Sequence, residues 1–121
     1  MAEQFYKKDD IRKINVLAQL APDAIQALVE VNDKVFRGGA LSCRVKELIA
    51  IAVAHVTGCV YCIDIHTKNA LKEGATDEEV AEAILVGVAM KASAALSHSV
   101  VAINAMEEFH SLNPHRHPLK K

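Results

Sequence analysis

Apolar residues recur along most of this chain at intervals of three and four positions, and no segment alternates with a period of two. The first spacing is typical of amphipathic α-helices and the second of half-buried strands. Asn-Gly and Asp-Gly pairs, which mark tight β-hairpins, are absent from the sequence. The pattern therefore predicts an all-α protein, and we expect a compact bundle of about six helices.

Residues that favour helix ends divide the pattern into segments. Pro22 fits the first position of a helix, where its missing N–H costs nothing, and Ser42 can cap another helix. Thr76 and Glu79 have the spacing of a capping box, and Gly58 is suited to a helix C-terminus. The expected helices cover about residues 10–20, 22–37, 43–56, 59–73, 77–88 and 92–109. The pattern does not decide whether the last two are continuous.

Length and composition indicate one domain that associates with copies of itself. The 121 residues contain no internal repeat or linker, so we expect a single domain over residues 1–121 with a loose tail over about 113–121. Hydrophobic residues make up 51% of the chain. A chain this small cannot hide that much apolar surface alone, and we expect a homo-oligomer.

Charge and segment lengths argue against several classes of partner. The net charge is −1 and aromatic residues are 4% of the chain, which does not support nucleic-acid binding. The N-terminus is polar, unlike a signal peptide, and the longest apolar runs, LIAIAVAHV and AILVGVAM, are too short to span a bilayer. We therefore expect a cytoplasmic protein without a membrane partner. In that reducing compartment, a close cysteine pair is typical of catalysis or metal binding.

The candidate chemistry lies in the segment GCVYCIDIHTKNA, where Cys59 and Cys62 are followed by His66. Gly58 interrupts the third helix, so the cysteines open the fourth, where free N–H groups stabilise a thiolate. Cysteines at i and i+3 can also close a disulfide. His66 is one turn from Cys62 and can take its proton, which favours Cys62 as the activated thiol. The helix end favours Cys59 instead, and spacing does not resolve this conflict.

Two further residues could complete a proton relay. Glu47 is flanked by apolar residues, and a partly buried carboxylate needs a partner or a raised pKa. His55 is two turns later on the same helix. If the third and fourth helices pack antiparallel, Glu47 or His55 can approach Cys62 and His66.

A zinc site is the main alternative for these residues. Cys59, Cys62 and His66, with Glu47 or His55, could supply four ligands. Structural zinc sites usually draw on two short ligand pairs, and only one is clear here, so we favour redox chemistry.

Two residues outside this motif have simpler interpretations. We interpret Cys43, four residues before Glu47, as a small packed residue. His98 lies in a mostly apolar helix, so we expect it to be buried and hydrogen-bonded.

The segment ELIAIAVAHVTGCVYCIDIHTKNALKEGAT resembles the AhpD-like proteins of the carboxymuconolactone decarboxylase superfamily. Their signature is a Glu, a C-x-x-C beginning twelve residues later, and a His four residues after the second Cys. Glu47, Cys59, Cys62 and His66 match it, and the resemblance covers about residues 21–109. It implies an all-helical subunit that assembles as a homotrimer or homohexamer. Members with both cysteines are thiol-dependent peroxidases or disulfide reductases.

The resemblance also implies a role for each residue. Cys62 would attack an alkyl hydroperoxide or disulfide substrate, and Cys59 would resolve the product to a disulfide. Glu47, His66 and His55 would relay protons. An external dithiol, such as a dihydrolipoyl protein, would reduce the disulfide, without a bound cofactor or metal. A non-redox, decarboxylase-like reaction on the same fold is a further alternative, although that branch usually lacks the cysteine pair.

Overall fold

The computed structural model describes residues 7–115, and this range forms five α-helices and contains no strand. A 3-10 helix over Lys8–Lys13 leads into α1 (Ile14–Leu20), α2 (Pro22–Phe36), α3 (Cys43–Thr57), α4 (Val60–Lys72) and α5 (Asp77–Leu112). Helix α3 packs against both α4 and α5, whereas α1 and α2 pack mainly against each other. The all-α prediction is confirmed, and α3 lies at the centre of the fold.

The helix ends follow from local hydrogen bonds that the sequence predicted. The Ser42 hydroxyl accepts a bond from the N–H of Val45 at 3.2 Å. Both bonds of the capping box between Thr76 and Glu79 are formed, each at 3.1 Å. Gly58 ends α3 in the left-handed conformation, with φ 73°, which costs glycine little because it has no Cβ.

The last two predicted helices are one continuous helix, α5, so residues 7–115 contain five α-helices where about six were expected. This helix contains 36 residues and is about 54 Å long at 1.5 Å per residue. Gly87 lies in its interior, where α5 crosses α3. A Cβ on Gly87 would lie 2.7 Å from the carbonyl oxygen of Ala52. The glycine therefore allows the close approach of two helices and does not end one.

Most of the apolar surface of the chain is exposed. The buried hydrophobic residues of the described region are Ile51, Ala54, Ala70, Ala75 and Val80. The accessible surface is 9812 Å², whereas a folded monomer of this mass is expected to expose about 6,400 Å². The accessible surface therefore exceeds the expectation for a compact monomer. His98 is also exposed on α5, so its predicted burial is wrong for the single chain, because the residues that the structure describes leave most of this half of the helix exposed.

Helix α5 meets the length and composition criteria for a membrane span, and 6% of its most apolar window is buried. This corrects the expectation that every apolar run is too short to span a bilayer. The apolar segments before and after Lys91 belong to the same helix, and together they are long enough. Core helices of soluble proteins pass the same test, so these criteria do not identify the surroundings of α5. Residues 1–6 and 116–121, with most of the predicted loose tail, lie outside the described residues.

Candidate active site

A sharp turn between α3 and α4 brings the predicted residues together. The N–H groups of Gly58 and Cys59 both donate to the carbonyl of Ala54, at 2.9 and 3.0 Å. Cys59 is then the N-cap of α4, so a single glycine separates the C-terminal turn of α3 from the start of the next helix. The two helices fold back on each other, and residues at the middle of each come into contact.

Glu47 of α3 and His66 of α4 form the central contact. Their Oε2 and Nδ1 atoms are 2.6 Å apart, and the side chains are 7% and 18% exposed. An ionised carboxylate can only accept, so Nδ1–H donates to it and Nε2 remains available to take a proton. Such a bond to a buried carboxylate fixes the tautomer and the orientation of the imidazole. The contact also supplies the partner that a buried Glu47 requires.

The cysteine pair lies at the N-terminus of α4. Cys59 and Cys62 form a disulfide with 5.2 Å between their Cα atoms, as the i, i+3 spacing allows. The sulfur of Cys59 also accepts a bond from the backbone N–H of Cys62, at 3.2 Å. The structure therefore shows the disulfide that the spacing of Cys59 and Cys62 allows. It also shows a backbone N–H, that of Cys62, directed at the sulfur of Cys59.

A cavity of about 520 Å³ opens beside the disulfide. Cys62 and His66 line it, whereas Cys59 does not. The other lining residues are mostly apolar: Val35, Phe36, Leu41, Lys46, Ile49, Ala50, Val53, Ala54 and Thr57. A substrate in this cavity would meet Cys62 first, which favours the spacing argument over the helix-end argument.

Sequence reasoning missed two residues of this site. The ring of Phe36 stacks on the imidazole of His66, with centroids 4.8 Å apart and planes at 15°. The ammonium of Lys46 donates to the carbonyls of Val35 and Arg37 at 2.7 and 2.6 Å. No spacing rule could find the stack, because the two rings come from helices that are not consecutive.

His55 lies apart from this cavity. Its Nδ1 bonds to the carbonyl of Ile51 in the same helix, at 2.7 Å. The side chain lines a different cavity between α3 and α5, with Gly87 and Lys91. The structure therefore brings Glu47, His66 and Cys62 together, but does not bring His55 to them.

Cys43 is half-buried beside the site and its thiol donates to the carbonyl of Phe36, at 3.4 Å. Burial raises the pKa of this thiol, and the negative charges of Glu73 and Glu47 raise it further. Cys43 therefore stays a neutral thiol where a free cysteine would begin to ionise, which matches the prediction of a packed residue better than that of a nucleophile.

The zinc alternative finds no support in the arrangement of side chains. Within residues 7–115, no group of three or more His, Cys, Asp or Glu side chains is placed to hold a metal ion. The nearest candidates, Cys59 and Cys62, are bonded to each other, and the bonded sulfurs are not thiolate ligands.

Comparison with known proteins agrees with this geometry. The family model of the carboxymuconolactone decarboxylase family matches residues 22–105. The chain belongs to this family. The matched range begins with α2 and includes Glu47, the cysteine pair and His66. The resemblance stated from the motif is thereby confirmed.

Individual relatives support the family and the fold. The chain is 50% identical over 86 residues to uncharacterized protein 4 in the cox locus of Paracoccus denitrificans, covering 71% of this chain and 75% of the relative. A carboxymuconolactone decarboxylase family protein from Legionella pneumophila superposes with a TM-score of 0.65 at 30% identity, covering 84% and 91% of the two chains. An alkyl hydroperoxide reductase AhpD from Hyphomonas neptunium is 34% identical over 59 residues, 49% of this chain and 33% of that protein.

Proposed function

We propose that this protein is a thiol-dependent peroxidase that reduces organic hydroperoxides with the pair Cys59 and Cys62. The observation that carries the proposal is that Cys62 and His66 line the same mostly apolar cavity. Glu47 binds the Nδ1 atom of His66 and leaves Nε2 available. The similarity to an alkyl hydroperoxide reductase supports the same chemistry at the level of the family. The mostly apolar lining favours an organic hydroperoxide over a strongly polar substrate.

The cycle starts from the reduced pair. His66 accepts the proton of the Cys62 thiol, and the thiolate attacks the terminal oxygen of ROOH. The O–O bond breaks, Cys62 becomes a sulfenic acid, and the alkoxide leaves as ROH with the proton from His66. The thiol of Cys59 then attacks the Cys62 sulfur, releases water and closes the disulfide. Glu47 stabilises His66 when it carries the proton.

An external dithiol completes the cycle by thiol–disulfide exchange. It transfers two electrons and two protons to the disulfide and is itself oxidised to a disulfide. The resemblance suggests a dihydrolipoyl protein for this role. Disulfide substrates could react by the same exchange, which would make the protein a disulfide reductase.

We also propose that the working form is a homo-oligomer in the cytoplasm, a trimer or hexamer. The exposed surface exceeds the monomer expectation by about 3,400 Å². A standard interface buries about 800 Å² on each partner. Every subunit therefore has enough surface for more than one contact with its neighbours, and association would cover α5 without a membrane.

The test is an intact mass and a free-thiol count on reduced, metal-free protein, before and after one equivalent of cumene hydroperoxide. Wild type is expected to lose two thiols and two hydrogens, and Cys43 should remain free as an internal reference. Cys59→Ser should retain one added oxygen on Cys62, whereas Cys62→Ser should not react. Unchanged thiols after exposure to the peroxide would reject the proposal.

The same samples address the alternatives. A stoichiometric zinc ion that survives dialysis and protects the thiols would favour the metal-binding module. A turnover that Cys62→Ser retains in full would point to non-redox chemistry on this fold.

A further inference from the structure

We infer that the C-terminal end of α2 positions His66 for reaction, with Phe36 in contact with the imidazole and Lys46 holding the helix end. This inference rests on the proposed function, which gives His66 its role. It adds two positioning residues that belong to neither the cysteine motif nor the Glu47–His66 pair.

The imidazole of His66 is held in two different ways. Its Nδ1 bonds to Glu47 at 2.6 Å, and one ring face lies against Phe36 with a centroid distance of 4.8 Å. The hydrogen bond holds the imidazole at Nδ1. The parallel stack restrains the plane of the ring as well, so the two contacts together set where Nε2 points. Phe36 is therefore placed to control the direction in which His66 exchanges its proton.

Phe36 depends in turn on two side chains of α3. The last carbonyls of an α-helix have no partner within the helix. Here Lys46 donates to Val35 and Arg37, and Cys43 donates to the carbonyl of Phe36 between them. Three consecutive carbonyls at the end of α2 thus bind to the first turns of α3.

The charge of Lys46 suits this place. A cation is favourable at the negative C-terminal end of a helix. Helix α2 packs mainly on α1 and has fewer contacts with α3. The hydrogen bonds from α3 reach the end of α2, so they help to place Phe36. A neutral side chain at Lys46 would free the end of α2 and with it the stack.

A cavity wall and a positioning residue can be told apart. If Phe36 only lined the cavity, its loss would change KM and leave kcat alone. If Phe36 orients His66, its loss lowers kcat and also slows the deprotonation of Cys62 in the absence of any peroxide. Several titratable or charged side chains surround His66 and affect how the alkylation rate depends on pH. They are Glu47, Lys46 and Cys43 from α3 and Cys62 from α4.

The experiment therefore combines two measurements on reduced, full-length protein. The first is the rate of Cys62 alkylation by iodoacetamide as a function of pH, read from the mass of the peptide that contains it. The second is kcat and KM with cumene hydroperoxide. At Phe36 the variants are Phe36→Leu, which keeps an apolar side chain but removes the stack, and Phe36→Tyr, which keeps the ring. At Lys46 they are Lys46→Met, which removes the charge, and Lys46→Arg, which keeps it. Val31→Ala on the exposed side of α2 is the control.

Phe36→Leu and Lys46→Met are expected to shift the alkylation profile of Cys62 to higher pH, in the same direction as His66→Asn. They should lower kcat by about 10-fold or more, as loss of a supporting residue commonly does. Phe36→Tyr and Lys46→Arg, which keep the ring and the charge, should restore most of the wild-type alkylation profile. Val31→Ala, outside the cavity, should stay close to wild type. A change in KM alone, with an unshifted alkylation profile in Phe36→Leu, would overturn the inference.

The alkylation profile also separates this inference from the proposed function. It needs no peroxide, so a protein without peroxidase activity would still show whether Phe36 acts on Cys62 through His66. An alkylation profile that His66→Asn shifts and Phe36→Leu does not would reject the positioning role while leaving the proposed function intact.

Discussion

Adding a methyl group at Gly87 is expected to destabilise this protein, although the same change stabilises most helices. Gly87 lies where α5 crosses α3, and its new Cβ would be 2.7 Å from the carbonyl oxygen of Ala52 and 3.4 Å from the carbonyl carbon and Cα of that residue. These are backbone atoms in the middle of α3, so no side-chain rotation can relieve the contact. One helix must move away from the other.

Two opposing terms set the size of the effect. Replacing glycine with alanine in a helix interior gains about 1 kcal/mol. Overpacking a tight contact costs about 1–3 kcal/mol. Because the contact is with rigid backbone, we expect the clash to exceed the helix preference and lower the free energy of unfolding by up to about 2 kcal/mol.

Urea unfolding at one fixed protomer concentration would measure this difference, since association contributes to the stability of an oligomer. Gly38→Ala, in the loop between α2 and α3, is the control for a methyl group added without a clash, because its Cβ would have its nearest neighbour at 4.0 Å. A Gly87→Ala protein that unfolds at a higher urea concentration than wild type would refute the reasoning, because the helix preference would then act without a clash.

Three further predictions concern the site and the surface. Glu47→Gln is expected to slow peroxide-driven thiol loss by about 10- to 100-fold, because the amide cannot stabilise a protonated His66 as a carboxylate does. In the oxidised protein Cys43 is the free thiol, and its raised pKa should move its alkylation profile to higher pH than that of free cysteine. Leu96→Glu, at a side chain 74% exposed on α5, should reduce the assembly to smaller species, as measured by light scattering after gel filtration.

Each of these predictions has a control and a contrary result. Glu73→Gln removes a carboxylate outside the Glu47–His66 contact, and equal rates for both glutamine variants would contradict the role of Glu47. A Cys43 profile at or below that of free cysteine would contradict its raised pKa. Ser97→Glu adds the same charge one residue from Leu96, and an assembly unchanged by Leu96→Glu would show that this face of α5 is not an interface.

The features that the sequence predicted well depend on short-range chemistry. The caps at Ser42 and Thr76 and the turn at Gly58 join residues no more than five positions apart. The contact between Glu47 and His66 followed from one assumption, that two helices joined by a glycine fold back on each other. Such features need little knowledge of the rest of the molecule.

The features that the sequence missed depend on distant parts of the chain. Phe36 of α2 stacks on His66 of α4, and side chains of α3 bond to the end of α2 beside that stack. The sequence left open whether the last two helices are continuous, and the place of Gly87 against Ala52 was not predicted. The expected burial of His98 assumed that an apolar helix is covered by its own chain, whereas most of α5 is exposed.

The turn at Gly58 has a consequence for how the site forms. Glu47 and His66 are 19 positions apart in sequence, and both belong to one helical hairpin. Contacts between residues this close in sequence form quickly, because closing a short loop costs little chain entropy. The Glu47–His66 contact is therefore of a kind that forms early in folding. The distal half of α5 contributes no residue to this contact or to the cavity beside the disulfide, so its sequence can change while the geometry of the hairpin is kept.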